Sequence, residues 1–244
     1  MEANHNTSTA ANTGAKITNS RFPEGYIVKD FHIQSMNPKE FWEFLKLTHP
    51  IMDEFLEEPI NGHADFMLFK YDKANMHCNV LYHNETPIGH SMYYIEKTQW
   101  GTIMYRWNTN LLFDYQGLGL YKPLIEHSLE PLRSKIDFLV FKTQNPRVLS
   151  GLSKIAGGQA YPDYSKPDMK ISEEIRDMAS YYAGGKKLSN HLVLRHPVYA
   201  QLNPSKDFHS TSNVELKNFM ESAMGARVDV LHSNCFQVIC EIKK

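Results

Sequence analysis

The stretch Leu111 to Leu124, LLFDYQGLGLYKPL, carries the residues in this chain whose spacing best suits chemistry. An apolar run ends there, Gly117 and Gly119 flank Leu118, and apolar positions then resume at helical spacing. The first amides of a helix have no partner inside the helix, and the helix dipole favours negative charge at that end. Glycines would let a ligand come close to such a backbone, so the loop suits a pyrophosphate. The same pattern also suits an ordinary tight β–α turn, and the loop alone does not separate the two. Two other phosphate motifs are excluded: the chain has no G-x-x-x-x-G-K-[ST] and no G-x-G-x-x-G after its first strand in a parallel βαβ unit.

Other chemistries leave less trace. The 12 histidines form no H-E-x-x-H or comparable pattern, so no metal site is expected. The three cysteines, Cys78, Cys235 and Cys240, lack C-x-x-C spacing and are odd in number, which points to reduced thiols in a cytoplasmic setting. Lys plus Arg (26) nearly balance Asp plus Glu (27), so no global field draws the chain to nucleic acid or an anionic membrane. A charged ligand must be met by a local site. No uncharged apolar stretch approaches the roughly 20 residues that span a bilayer.

The elements that position the loop follow from periodicity. Residues 1–20, rich in Asn, Thr, Ala and Ser and without an apolar h-region, are expected to be a disordered tail. The remaining 21–244 form one domain. Tyr26 to Gln34 reads as an opening strand. Phe41, Trp42, Phe44, Leu45 and Leu47 recur at helical spacing, and Met52, Phe55 and Leu56 suggest a second, short helix after Pro50. Strands are expected at Phe66 to Tyr71, Cys78 to Tyr82, Ile88 to Glu96 and Thr102 to Phe113, as an antiparallel meander. A helix from Leu118 to Arg133 follows, with Pro123 tolerated near its start. Ile136 to Thr143 is apolar enough for a strand buried on both faces, and a helix from Arg147 to Ala156 stops at Gly157-Gly158. The region 161–213 is less regular and is read as an insertion or lid, with a helix around Ile171 to Tyr182 and a strand-like His191 to Leu194. A helix at Val214 to Met224 and two β-rich runs, VDVL and CFQVICEI, close the chain. This order defines an α/β (α+β) domain, a mixed and mostly antiparallel central sheet flanked by helices, with a C-terminal insertion or extension.

At Gln116-Gly117-Leu118-Gly119-Leu120-Tyr121 the sequence resembles the GNAT superfamily of acyl-CoA N-acyltransferases, whose signature is [QR]-x-x-G-x-[GA] between the fourth strand and the following helix. Asn145, the helix after it, Gly157-Gly158 and the element order from Tyr26 extend the likeness over a little more than half of the chain. Two positions depart from the family. Tyr121 replaces a small residue, so its ring is expected to crowd the phosphates or stack over them. Leu152 stands where many members carry the tyrosine that protonates the departing thiolate, leaving Tyr161 or Tyr164 as the acid, or no acid at all.

The resemblance implies acetyl-CoA or another acyl-CoA as co-substrate. The backbone of Asn110, Leu111 and Leu112 would hold the pantetheine arm like an added strand, and the amides from Gln116 to Tyr121, with Asn145 nearby, would hold the pyrophosphate. A small-molecule or protein amine would attack the thioester directly, needing a base. Glu96, His90 and Asp114 are the candidates, each with a plain alternative as a strand-end, core or capping residue. Tyr93, Tyr94, Trp100, Tyr105 and Trp107 are expected to divide between the core and an acceptor pocket. The rival reading is a catalytically silent module of the same fold that binds acyl-CoA or a protein partner. A sheet-based binding domain unrelated to CoA stands third. Edge strands near the C-terminus leave a homodimer open.

Overall fold

The computed structural model describes residues 17–18, 22–54, 75–195, 211–227 and 234–244. The strand expected at Phe66 to Tyr71, the apolar positions Phe55 and Leu56, the VDVL run and most of the N-terminal tail lie outside them. Ile17 and Thr18, placed in the tail by composition, form a short strand β1 (Ile17–Thr18) against Lys29 and Val28.

Alternating β-branched and aromatic residues give β2 (Tyr26–His32). After it, Asn37 caps α1 (Pro38–Asp53): its side chain accepts from the Lys39 and Glu40 amides, and Glu40 reaches back to the Asn37 amide. The helix continues through Pro50, where the sequence suggested a break. Proline removes one backbone donor, but Phe41, Phe44, Leu45, Thr48 and Ile51 are buried on both sides of that turn and hold it.

The meander follows as β3 (Met76–His83), β4 (Thr86–Thr98) and β5 (Gly101–Leu111). Then come α2 (Tyr121–Leu129), β6 (Phe138–Thr143), α3 (Pro146–Ala156), β7 (Gly157–Tyr161), α4 (Glu173–Tyr182), β8 (Val193–Arg195), α5 (Val214–Met224) and β9 (Asn234–Ile242). Among the described residues the strands lie in the order β1-β2-β3-β4-β5-β6-β9-β7, with β8 also paired to β9. Every pairing is antiparallel except β5 with β6.

Period-two alternation sends neighbouring side chains to opposite faces. On one face, Phe41, Phe44 and Leu45 of α1 pack on Cys78, Val80, Tyr82 and Met92. On that same face Ile175, Met178 and Tyr182 of α4 cover Ile103, Tyr105, Val140 and Ile239, with Tyr94 touching both groups. On the other face, α2, α3 and α5 bring Ile125, Leu149, Leu152 and Leu216 onto Met104, Leu139, Phe141 and Val238. The stretch 161–213, read as an insertion or lid, thus carries among its described residues a helix that covers the sheet and a strand that joins it. No helix of the described residues is long and apolar enough to cross a membrane.

Candidate active site

The site begins with a slip of register. Met92 of β4 faces Asn108 of β5, yet the next residue, Tyr93, faces Arg106, so Trp107 is the additional residue of a β-bulge. A bulge bends its strand and sharpens its twist. On the other edge of β5 the parallel pairing with β6 runs from Ile103–Phe138 to Arg106–Phe141 and stops there, although β5 continues to Leu111 and β6 to Thr143. β6 stays paired with β9 as far as Thr143–Phe236, so the strand that leaves is β5. The sheet therefore opens between β5 and β6, and from Asn108 to Leu111 the edge of β5 that faces this gap carries no strand among the described residues.

The loop beyond β5 is tied down on its outer side. The Leu112 amide donates to the Ile88 carbonyl at 2.9 Å, and the Phe113 amide to Glu54 Oε2 at the end of α1, also at 2.9 Å. The Leu112 amide is thereby committed to β4, and the same register commits the Asn110 amide to His90, so of the three expected positions the Leu111 amide is the one that faces the open edge. Gln116 folds back so that its Nε2 donates to the Leu111 carbonyl at 2.9 Å. Gly117 and Gly119 follow with φ of +78° and +75°, a region that side chains rarely adopt. A Cβ at either would meet nothing within 4 Å. Leu120 begins α2 without a side-chain cap, and the amides from Gly117 to Lys122 find no acceptor among the described residues. A row of open donors at a helix start, beside a gap in the sheet, is a place for an extended ligand with an anionic end.

The residues singled out from the sequence separate in space. His90, fully buried, faces Asn110 across the ladder, with Asn110 Nδ2 and His90 Nε2 3.4 Å apart, on the open half of β5 and on the α1 face. Asp114 is exposed in the turn Phe113–Tyr115 that leads into the glycine loop. Glu96 faces Ile103 on the closed half, and its carboxylate accepts a 2.5 Å bond from the Tyr182 hydroxyl of α4. Burial and that carboxylate push the Tyr182 hydroxyl strongly upward. Tyr161 lies on β7, beyond β9 from the gap, where its hydroxyl donates to Glu241 at 3.0 Å; burial and this bond raise it to about 12. Asn145, at the end of β6, caps α3 by accepting from the Arg147 and Val148 amides at 2.8 and 3.3 Å.

Tyr121 turns away from the phosphate loop. Its ring points inward, packs against the clusters that hold Leu111 and Phe141, and lies 3.7 Å from where a Cβ on Gly151 of α3 would stand. Leu152 is buried in the same cluster, and Tyr164 packs on it. Of the aromatics, Tyr94, Tyr105 and Tyr182 form a stack with centroids 5.0 and 5.2 Å apart, while Trp100 leans on Tyr181.

Sequence reasoning missed Arg106. It is buried at the last parallel pair, with Nη1 donating to Ser128 Oγ at 2.9 Å, Nη2 to Ser91 Oγ and, at 3.4 Å, to Thr109 Oγ1, and the guanidinium 5.9 Å over the Tyr93 ring. Its hydrogen-bond partners among the described residues are hydroxyls, and burial lowers its pKa to about 10. Its sequence signal was faint, one cation inside the apolar run TIMYRW. No group of three or more His, Cys, Asp or Glu among the described residues could hold a metal ion.

No protein-family model matches the chain, and no curated protein matches it. Solved structures do. The chain is similar to the ribosomal-protein-S18-alanine N-acetyltransferase from Escherichia coli, at 11% identity and a TM-score of 0.42 over 89% of this chain and 95% of that one. It is also similar to a GNAT family acetyltransferase from Elizabethkingia anophelis with acetyl-CoA bound, at 10% identity and a TM-score of 0.40 over 90% and 100% of the two chains. A third is the IAA acetyltransferase from Bacillus cereus, at 11% identity and a TM-score of 0.40 over 89% and 99%. Likeness at this level says what the chain is similar to; what it does rests on its own residues.

Proposed function

We propose that the chain is an acyl-CoA N-acyltransferase that moves an acetyl or other acyl group from acyl-CoA to an amine by direct attack. The observation that supports this best is the bulge at Trp107, which opens β5 from β6 directly ahead of a glycine loop whose amides find no acceptor among the described residues. The pantetheine arm would lie along β5 from Leu111 toward Trp107, hydrogen-bonding the open edge as an added strand does. The pyrophosphate would rest on the amides from Gly117 to Lys122. Preference for this donor comes from the pairing of two parts, an edge for an amide-bearing arm and a helix start for its anionic end.

The acceptor amine enters from the α1 face, where His90 is the base. Its imidazole lies in register with Asn110, beside the open half of β5, whereas Glu96 is engaged by Tyr182 on the closed half. The neutral amine forms the N–C bond, the C–S bond breaks, and the base takes the proton that the amine loses. The acceptor is a small amine or an exposed protein amine. The setting is cytoplasmic, where the three cysteines, all buried, stay reduced.

The test incubates the full chain with acetyl-CoA and a panel of small amines and peptides while free thiol is followed. Thiol release that depends on one class of amine supports the reading. Binding of acetyl-CoA without release from any amine would favour the silent acyl-CoA-binding module, and absence of binding would overturn both.

A further inference from the structure

The Tyr121 ring spans the opening of the sheet. It packs at once against the cluster that contains Leu111 of β5 and the one that contains Phe141 of β6, the two strands that part company. Gly151 of α3 lies beside the ring, where a Cβ would make an ordinary contact at 3.7 Å. Arg106, whose charge acts on the Tyr121 hydroxyl, stands at the closed apex of the gap, a buried cation whose partners are hydroxyls and whose Nε finds no acceptor among the described residues. A buried positive charge without a carboxylate favours an anion close by.

The placement of a thioester follows from length. If phosphates rest on the amides that precede Tyr121, an arm running back along β5 from Leu111 to Trp107 covers about 13 Å. That brings the sulfur to the bulge, next to the Arg106–Phe141 pair and on the route of the Tyr121 side chain. Resting on the acyl-CoA reading above, we propose that Tyr121 is a catalytic residue whose hydroxyl donates a hydrogen bond to the departing sulfur, with the Arg106 guanidinium behind it as a positioning charge. As the C–S bond breaks, its electron pair goes to sulfur, which leaves as a thiolate held by the Tyr121 hydroxyl and takes a proton from water on release. The proton lost by the amine goes to the base on the opposite face.

Burial raises Tyr121 to about 12, with Arg106 opposing the shift, so the phenol keeps its proton and acts as a hydrogen-bond donor to a thiolate that is a weaker base. The other titratable groups near Arg106 are Tyr93 and Cys78, and burial holds both protonated, Tyr93 at about 12 and Cys78 higher. α3 presents to the ring Gly151, which does not titrate.

Calorimetric titration with CoA and with acetyl-CoA, at pH 6 and pH 9, tests this without knowledge of the acceptor. Acetyl-CoA has no thiol to ionise, so the ratio of the two affinities reads the sulfur alone. A sulfur whose pKa falls on binding is bound more tightly above its free pKa, and each unit of lowering adds up to about tenfold to CoA relative to acetyl-CoA between those pH values. The wild type is expected to show a gain of at least about fivefold, and Tyr121→Phe, which keeps the ring, less than about half of it with acetyl-CoA affinity unchanged. Tyr161→Phe, whose hydroxyl faces Glu241, is expected to keep the full gain. A full gain in Tyr121→Phe, or no gain in a wild type that binds both ligands, overturns the role of Tyr121 and leaves the acyl-CoA reading standing. Failure of the wild type to bind either ligand overturns both.

Discussion

Replacing Gly119 with alanine adds one carbon at φ +75°, at a point where that carbon meets no protein atom within 4 Å. The folded chain then bears only backbone strain, about 1–2 kcal/mol for an L-residue in the left-handed region. For a chain of this size that is a loss of roughly 2–8 °C in Tm. If a pyrophosphate rests on the neighbouring amides, the same carbon also stands in the ligand's space or moves the donors, and CoA affinity falls by at least about tenfold, a loss of roughly 1.4 kcal/mol. Gly225 supplies a matched control. It has φ +65°, a Cβ there would also meet nothing within 4 Å, and it ends α5 rather than flanking the gap. Gly225→Ala is expected to lower Tm by a similar amount and to leave CoA affinity unchanged. Scanning calorimetry and isothermal titration on the two variants give all four quantities. A Gly119→Ala protein that binds CoA as tightly as the wild type, or a Gly225→Ala protein that loses affinity equally, would refute the phosphate-loop assignment.

Three further outcomes are expected. CoA at about 100 times its Kd raises stability by about 2.7 kcal/mol, read as a rise in Tm that grows with CoA concentration, because only the folded chain binds it. With an amine acceptor in hand, His90→Gln lowers the rate by at least about a hundredfold while acetyl-CoA affinity, measured by titration, stays within about twofold. Glu96→Gln weakens the bond to Tyr182 and is expected to cost about 1 kcal/mol in denaturant unfolding while the rate changes by less than about threefold; a loss as large as that of His90→Gln would move the base to the closed half of β5.

Local signals carried far into the structure, and the long-range ones did not. The glycine loop, the helix that follows it and the strand at Phe138–Thr143 could be read from their own residues, since helix starts, turn glycines and period-two runs are local properties. The bulge at Trp107 left no such mark: a one-residue slip depends on which residues of β4 and β5 face each other, and nothing in WNTN announces it. The direction of the Tyr121 ring was equally hidden, because the ring packs beside Gly151, thirty positions along the chain on another helix, and against two clusters drawn from distant strands. Arg106 read as one charge in an apolar run, and its meaning came from Ser91 and Ser128, brought from β4 and α2. Pro50 shows the converse, a strong local break overridden because both flanking turns are buried.

The central claim is that acyl-CoA lies in the gap between β5 and β6 with its phosphates on the start of α2. Amide hydrogen exchange with and without saturating acetyl-CoA reads those positions directly, since among the described residues the amides of 117–122 have no acceptor and those of Thr109 and Leu111 point into the gap. With acyl-CoA in that gap, acetyl-CoA addition slows exchange in two stretches, at Thr109 and Leu111 on the open edge of β5 and over 117–122 at the helix start. Binding that slows exchange elsewhere and leaves both stretches unchanged would contradict it.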